Sequence, residues 1–308
     1  MRMVREGTAG PTALIFDLMR FATHDGPGIR TTVFFKGCPL ACAWCHNPES
    51  HGFRPDVLYF EDRCRRCGDC VGACPHGAIE QVDGIPRTAR DRCRRCGACA
   101  ESCQAEARRL AGRRVGLGEL VAEIERDSIF FDESGGGVTL SGGEPLSQPR
   151  FVKALLRACR DRGVRTALET CGFAPAGTFL ETALEADLVL FDLKLMDAAR
   201  HKRYTGVSNT RILANLEALA ARGRAVTVRI PVVPGINDGG EEIRRFTEYL
   251  AGLNRPVELL PYHRIGADKY SRLGLTYGLQ DTPQPTLEDM ERFAGPLAQA
   301  GLQVRIRG

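Results

Sequence analysis

Cysteine spacing constrains this chain more than any other feature. Of its thirteen cysteines, three share one loop, Gly37-Cys38-Pro39-Leu40-Ala41-Cys42-Ala43-Trp44-Cys45, spaced C-x3-C-x2-C with an aromatic before the last. Eight more form two runs, Cys64-x2-Cys67-x2-Cys70-x3-Cys74-Pro75 and Cys93-x2-Cys96-x2-Cys99-x3-Cys103. An odd total and tight clustering point to metal rather than a disulfide framework. Reduced thiols of this kind suit the cytoplasm, the expected location. The basic stretch Met1 to Pro11 has no apolar run after it, so no secretory signal is expected. No apolar stretch is long enough to span a membrane.

Thiolates of Cys38, Cys42 and Cys45 can hold three irons of a [4Fe–4S] cube, because such clusters are bound through Cys. No fourth Cys sits nearby, so one iron keeps an open face and can act as a Lewis acid towards a chelating ligand. A cluster that only carries electrons prefers four protein ligands; three ligands point to chemistry at the iron. Structural zinc fits poorly, since no second Cys pair completes a tetrahedron.

The two later runs repeat the bacterial ferredoxin pattern. In two-cluster ferredoxins the fourth Cys of each run ligates the other cluster. That rule assigns Cys64, Cys67, Cys70 and Cys103 to one cube, and Cys93, Cys96, Cys99 and Cys74 to another. Pro75 turns the chain after the first run, whereas Gln104 stands at that place in the second. Both runs carry paired arginines, Arg65-Arg66 and Arg94-Arg95. These read either as charge that raises a cluster's potential or as a solvated basic face that docks an acidic electron donor. Cys159 and Cys171 have no ligand spacing and read as buried thiols.

The double run, about residues 51–109, interrupts another pattern. Strands are expected over 12–19 and 31–35 before it. After it, helices over 118–130, 149–162, 175–185, 210–222, 240–253 and 287–300 alternate with strands over 137–140, 164–169, 187–192, 225–231 and 257–260, and 302–306 closes the chain. Repeated βα units predict an α/β fold with a parallel sheet and helices outside. The 308 residues leave too few for a closed eight-fold barrel, and a partial barrel of about six units fits. The expected division is an N-terminal tail over 1–11, a barrel over 12–50 and 110–308, and a ferredoxin-like insert over 51–109. A net charge of +4 gives no case for a nucleic-acid partner, and a monomer is expected.

In such barrels function sits at the C-terminal strand ends. Ser141-Gly142-Gly143-Glu144-Pro145 follows one strand. Its glycines let the backbone approach a ligand, and Glu144 and nearby carbonyls can accept from an ammonium group. Glu169-Thr170-Cys171-Gly172 and Asp192-Leu193-Lys194 follow the next two strands. Lys194 can pair with a carboxylate, and Asp192 can hold a ribose or a cation. Arg229 and His263 stand at two later strand ends.

The C-x3-C-x2-C loop with its aromatic resembles the signature of the radical S-adenosylmethionine (SAM) superfamily, whose core is a TIM-like partial (β/α)6 barrel. There the open iron is chelated by SAM, and the reduced cluster cleaves SAM to a 5′-deoxyadenosyl radical. Ser141–Pro145 resembles that superfamily's Gly-Gly-Glu element, which binds the SAM amino group. The implied SAM-binding set is Trp44, Gly142, Gly143, Glu144, Asp192, Lys194, Arg229 and His263. His24-Asp25-Gly26-Pro27-Gly28-Ile29-Arg30, Cys45-His46-Asn47-Pro48-Glu49-Ser50 and the double insert narrow the resemblance to the glycyl radical enzyme activating enzymes, larger form, over about residues 12–307.

That resemblance implies hydrogen abstraction from a glycine Cα of a partner enzyme, in anaerobic metabolism. It implies three [4Fe–4S] clusters and a flavodoxin or ferredoxin donor. It also implies a monovalent cation (Na+ or K+) on Glu169, Thr170, Asp192 and the Leu190 carbonyl, with Glu169 standing where the best-known pattern has Asp. His24, Asp25, Gly26 and Arg30 are the expected docking residues for the partner's glycine loop, or else a tight turn behind the cluster loop. Two other functions are compatible with parts of the pattern: a radical SAM enzyme acting on a small molecule or peptide, and a ferredoxin-like electron carrier on a barrel scaffold.

Overall fold

The computed structural model describes residues 10–307; of the expected tail, residues 1–9 lie outside the described part. The strands are β1 (Thr12–Ala22), β2 (Arg30–Phe35), β3 (Asp56–Tyr59), β4 (Ile79–Val82), β5 (Ile85–Thr88), β6 (Arg108–Ala111) and β7 (Arg113–Gly116), then β8 (Gly137–Gly142), β9 (Thr166–Thr170), β10 (Leu188–Asp192), β11 (Val226–Val232), β12 (Val257–Pro261) and β13 (Val304–Ile306). One nine-stranded sheet runs β13-β12-β11-β10-β9-β8-β2-β1-β7. From β2 through β8 to β13 every pair is parallel, whereas β1 is antiparallel to both β2 and β7. This is the open, partial barrel that the βα alternation predicts.

The parallel strands are apolar along most of their length, as strands covered on both faces must be. Val138, Leu140, Leu168, Val189, Phe191, Val228 and Ile230 are all at most 1% exposed. Helices Pro149–Arg160, Thr210–Ala220, Gly240–Leu253 and Leu287–Gln299 bury their apolar stripes against one shared core. Leu155, Leu216, Phe246 and Phe293 from these helices are fully buried.

Three departures from the sequence pattern matter. The stretch expected as one helix over 118–130 is two, Leu117–Glu125 and Ser128–Ser134. The chain breaks at Asp127, whose buried carboxylate accepts from Arg20 and from the Thr31 hydroxyl, each at 2.6 Å. Helix Ala198–Thr205, too polar to show an apolar stripe, is set by its ends: Asp197 caps it by accepting from the Arg200 amide at 2.8 Å, and Gly206 closes it at φ +85°. A short helix, Ala267–Arg272, also escapes the pattern.

Between β2 and β8 the cysteine-rich segment makes its own small sheets. β3 pairs antiparallel with β6, and β4 with β5. The two runs fold alike. Arg66 and Arg95 have φ +57° and +56°, Gly68 and Gly97 +85° and +89°, and each run then enters one helical turn, Asp69–Gly72 or Ala98–Glu101.

At the bottom of the barrel the chain has no room to spare. A Cβ on Gly136 would lie 1.8 Å from the Ile29 carbonyl oxygen. Gly136→Ala should destabilise the fold by about 1–3 kcal/mol, the usual cost of overpacking; an unchanged urea midpoint would contradict the packing described.

Candidate active site

The cluster loop is held by backbone on three sides. Amides of Ala41 and Ala43 donate to the carbonyls of Thr205 and Tyr204 at 2.8 and 2.9 Å, so the polar helix Ala198–Thr205 forms one wall. The Gly37 amide donates to Ser50 at 2.7 Å. On the third side β8 continues past its end: the Gly143 amide donates to Phe35 at 2.7 Å and the Glu144 amide to Gly37 at 2.9 Å. A Cβ on Gly142, at φ +113°, would meet the Phe35 backbone at 2.4 Å, and one on Gly143 the Gly37 oxygen at 2.6 Å. Both glycines therefore serve close approach of this motif to the cysteine loop itself, in addition to any ligand.

Beneath the loop lies a second apolar cluster, in which Trp44 packs with Leu195, Val233, Ile236, Tyr262, Tyr270 and Tyr277. The hydroxyls of Tyr262 and Tyr277 bond each other at 2.8 Å. Trp44 is 5% exposed, so its indole is chiefly a floor for the loop, with one face on the cavity.

Cys38, Cys42 and Cys45 line one cavity of about 460 Å3 at the C-terminal ends of the parallel strands, within the usual range for a small-molecule site. Burial pushes all three thiols up, Cys45 to about 12. As free thiols they stay protonated at neutral pH, and a bound metal is what deprotonates such ligands. Gly142, Gly143, Glu169, Thr170, Asp192 and Lys194 reach the same cavity, as do Trp44, Arg229, His263, His24 and Asp25.

The charges here are paired. Arg229 donates to Glu169 at 3.0 Å, to Glu258 at 3.1 Å and to the His24 carbonyl at 2.7 Å. Ser141 donates to the other Glu169 oxygen at 2.5 Å. Burial raises the Glu169 carboxyl and Arg229 opposes it. Lys194 lies 3.0 Å from Asp192. Burial works against its ammonium, the Asp192 carboxylate favours it, and Lys194 stays well above its ordinary value.

Several expected residues sit elsewhere. Glu144 does not line the cavity; its carboxylate is buried and turned inward. It accepts from the Leu146 amide at 3.0 Å, the Thr170 hydroxyl at 2.7 Å, and the Cys171 amide and thiol at 2.9 and 3.0 Å. It ties the end of β8 to the end of β9, and of this motif Ser141, Gly142 and Gly143 line the cavity. Arg30 is 2% exposed, and its guanidinium donates to Thr139 and to the Pro27 and Val138 carbonyls. Burial lowers it to about 10. It braces the 24–30 segment from inside and offers a partner nothing. Gly26 is buried against Arg30. Leu190 is paired inside the ladder with Glu169 and Thr227. Of the four expected cation ligands, Glu169, Thr170 and Asp192 line the one cavity, with the Thr170 hydroxyl donating to Glu144.

The structure adds residues that the spacing did not mark. His46 stacks on His263 at 4.1 Å, and both line the cavity. His46 Nε2 and His263 Nδ1 are buried without a hydrogen-bond partner among the described residues. His263, isolated in sequence, has its partner in space. Cys171, set aside as a buried thiol, reaches the cavity beside the three loop cysteines; its place in Glu169-Thr170-Cys171-Gly172 after a strand was the available signal.

In the insert, Cys74 of the first run shares one cavity with Cys93, Cys96 and Cys99 of the second. Cys70 packs with Cys99, Val57 and Ile79 between the two runs. Amides point at sulfur in several places: Asn47 at Cys45, 3.4 Å; Arg66 at Cys64, 3.4 Å; Ala78 at Cys74, 3.3 Å. Among the described residues no three His, Cys, Asp or Glu side chains converge tightly enough to grip one metal ion.

The radical SAM superfamily matches residues 87–248, a 4Fe-4S dicluster domain residues 57–104, and a 4Fe-4S single cluster domain residues 24–73. The trans-4-hydroxy-L-proline dehydratase activating enzyme of Clostridioides difficile is 44% identical over 96% of this chain and 99% of its own. The benzylsuccinate synthase activating enzyme of Thauera aromatica is 42% identical over 96% of this chain and 92% of its own. The chain belongs to the glycyl radical enzyme activating enzymes of the radical SAM superfamily. A radical SAM methyltransferase from Sphaerobacter thermophilus, 16% identical, shares the fold over 94% of this chain and 76% of its own with a TM-score of 0.53. Glycyl radical enzyme activating enzymes carry iron–sulfur clusters, use SAM to generate a 5′-deoxyadenosyl radical and act on a glycyl radical enzyme. Among the described residues no helix is long and apolar enough to cross a membrane.

Two predictions follow from the charges in this activating enzyme. Arg229→Met leaves the Glu169 carboxylate without its cation in a largely buried site, while Glu258 keeps Arg307, so stability should fall by about 3–5 kcal/mol; a urea midpoint near wild type would refute the pairing. His46 is held down to about 4, by burial first and then by His263. Between the ordinary value near 6.5 and about 4 the unfolded chain takes a proton that the folded one refuses, so stability falls as pH falls through that window. His46→Gln should flatten that slope in urea midpoints taken from pH 7 to 4.

Proposed function

We propose that this activating enzyme carries three [4Fe–4S] clusters, on Cys38/Cys42/Cys45, on Cys64/Cys67/Cys70/Cys103 and on Cys93/Cys96/Cys99/Cys74, the last two in an insert spanning about 51–109. The observation that carries the reading is the shared mouth cavity. Three half-buried cysteines, two glycine backbones and an ion-paired lysine surround it, with the stacked rings of His46 and His263 beside them. The insert's own cavity, shared by Cys74 and the second run, supports crossed ligation. Bound there, the SAM-site cluster supplies one electron to SAM at an iron with an open coordination position.

The chain's own residues do the rest. The Gly142 and Gly143 carbonyl side receives the SAM ammonium, and Lys194, fixed by Asp192, receives its carboxylate. His263 and His46 offer ring nitrogens to the nucleoside. Trp44 and the tyrosine cluster keep the loop still and the floor dry. Asp25, one of whose carboxylate oxygens accepts from the Thr32 hydroxyl at 2.6 Å, and exposed His24 stand at the cavity edge and are the side chains nearest a glycine loop, now that Arg30 is committed inside. Glu169 and Asp192 are already balanced by Arg229 and Lys194, so Na+ or K+ should affect SAM binding little. The working setting is a cytoplasmic monomer reduced by flavodoxin or ferredoxin.

Anaerobic reconstitution tests the cluster count. Each cube holds four irons, so the wild type should bind about twelve per chain and Cys42→Ser about eight. Cys42→Ser should lose SAM cleavage while keeping the insert's spectroscopic signals. About eight irons in a wild type that cleaves SAM would refute the two-cube insert.

A further inference from the structure

The two ferredoxin-like runs are near copies in sequence and backbone, yet the structure treats one arginine of each differently. Arg95, between Cys93 and Cys96, donates from Nε to Asp56 at 2.8 Å. Arg66, its counterpart between Cys64 and Cys67, has no side-chain hydrogen bond or ion pair among the described residues. Asp56 opens β3 and is buried. Its second oxygen faces the Lys36 ammonium at 3.7 Å. Lys36 stands two residues before Cys38, is 1% exposed, and donates to the Glu49 carbonyl just past Cys45.

A continuous chain of charge thus runs from the SAM-site loop to the second run. Two further links brace it. Arg90 donates to Asp56 at 3.1 Å and to the Leu273 carbonyl at the end of helix Ala267–Arg272. Lys269 on that helix donates to Asn47 at 2.8 Å and to the Glu49 carboxylate at 2.7 Å. Gly266 at its start packs on the Cys45 carbonyl so closely that a Cβ would lie 3.0 Å away. Among the described residues neither Arg65 nor Arg66 of the first run makes an equivalent ion pair.

We propose that Lys36, Asp56 and Arg95 are positioning residues that fix the second-run cysteines against the SAM-site loop and set the potential of the cluster they hold. The two insert clusters are then unequal. The one on Cys93, Cys96, Cys99 and Cys74 is the inner one and passes a single electron to the SAM-site cluster. The one on Cys64, Cys67, Cys70 and Cys103 is the outer one and takes that electron from a low-potential one-electron donor. The inner cluster is oxidised by one electron as the SAM-site cluster is reduced by one, and no proton moves. Paired arginines in both runs hide this difference at the level of sequence. The assignment presupposes the two-cube insert proposed above.

An EPR-monitored redox titration of the reconstituted full chain tests it, with Cys96→Ser and Cys67→Ser marking which signal belongs to which run. Asp56→Asn removes an anion beside Arg95 and should raise one midpoint potential; Arg95→Gln removes a cation and should lower the same one. That signal should be the one Cys96→Ser abolishes. Arg66→Gln should move only the other. Simple loosening of the insert would shift both variants the same way. Magnetic coupling between the reduced SAM-site cluster and an insert cluster should vanish in Cys96→Ser and survive in Cys67→Ser. Shifts of the same sign, shifts on the signal that Cys67→Ser abolishes, or coupling that survives in Cys96→Ser would overturn the assignment. Iron content separates this failure from the other: about eight irons in the wild type sinks the two-cube reading, whereas about twelve with misplaced shifts sinks only the order of the clusters.

Discussion

The mouth of the barrel depends on one backbone contact: the end of β8 lying directly against the start of the cysteine loop. Amides of Gly143 and Glu144 bond Phe35 and Gly37, and only residues without a Cβ fit at 142 and 143. The contact places three thiols opposite the strand ends. It also spends two glycines on holding the loop, which keeps their remaining backbone groups close to whatever occupies the cavity. Glu144 locks the same corner from behind by collecting four donors of β9 and its own turn, so its charge is used in the wall and not in the pocket.

Electrostatics organise the rest of the site. A mouth lined by buried thiols and carboxylates is costly unless each charge has a partner. Arg229 serves Glu169, Glu258 and the His24 carbonyl at once, and so joins β9, β11 and β12 to the segment that crosses the barrel. Lys194 and Asp192 form a second pair beside Cys42. Away from the cavity, Lys36 and Asp56 bury a third pair at the point where the insert leaves the barrel. Arg229 and Lys36 share one device, a single cation joining elements that are distant in sequence, whereas Lys194 pairs within its own strand end.

Cysteine spacing made the clusters legible, and alternating apolar runs made the parallel sheet legible, because both signals are local. Helix Gly240–Leu253 falls where its apolar period puts it. Helix Ala198–Thr205 does not show by period, since it buries little beyond His201 and Thr205; its Asp197 cap and Gly206 stop were the readable signs. Arg30 and Glu144 looked like ligand-facing charges because a sequence carries no record of which way a side chain turns. Arg30 turns into the barrel and Glu144 into the wall, where burial is offset by three or four hydrogen bonds. The stacking of His46 on His263 was beyond reach for the same reason: nothing in the chain ties residues so far apart until β12 and the cluster loop are packed together.

The most direct measurement follows a hydrogen atom. The reduced protein, with SAM, would be mixed anaerobically with its partner glycyl radical enzyme prepared with glycine deuterated at Cα. Deuterium in the released 5′-deoxyadenosine, together with a glycyl radical signal on the partner, is the predicted result. Release of unlabelled 5′-deoxyadenosine with no radical on the partner would contradict hydrogen abstraction from the glycine and point to a small-molecule or peptide substrate at the same mouth.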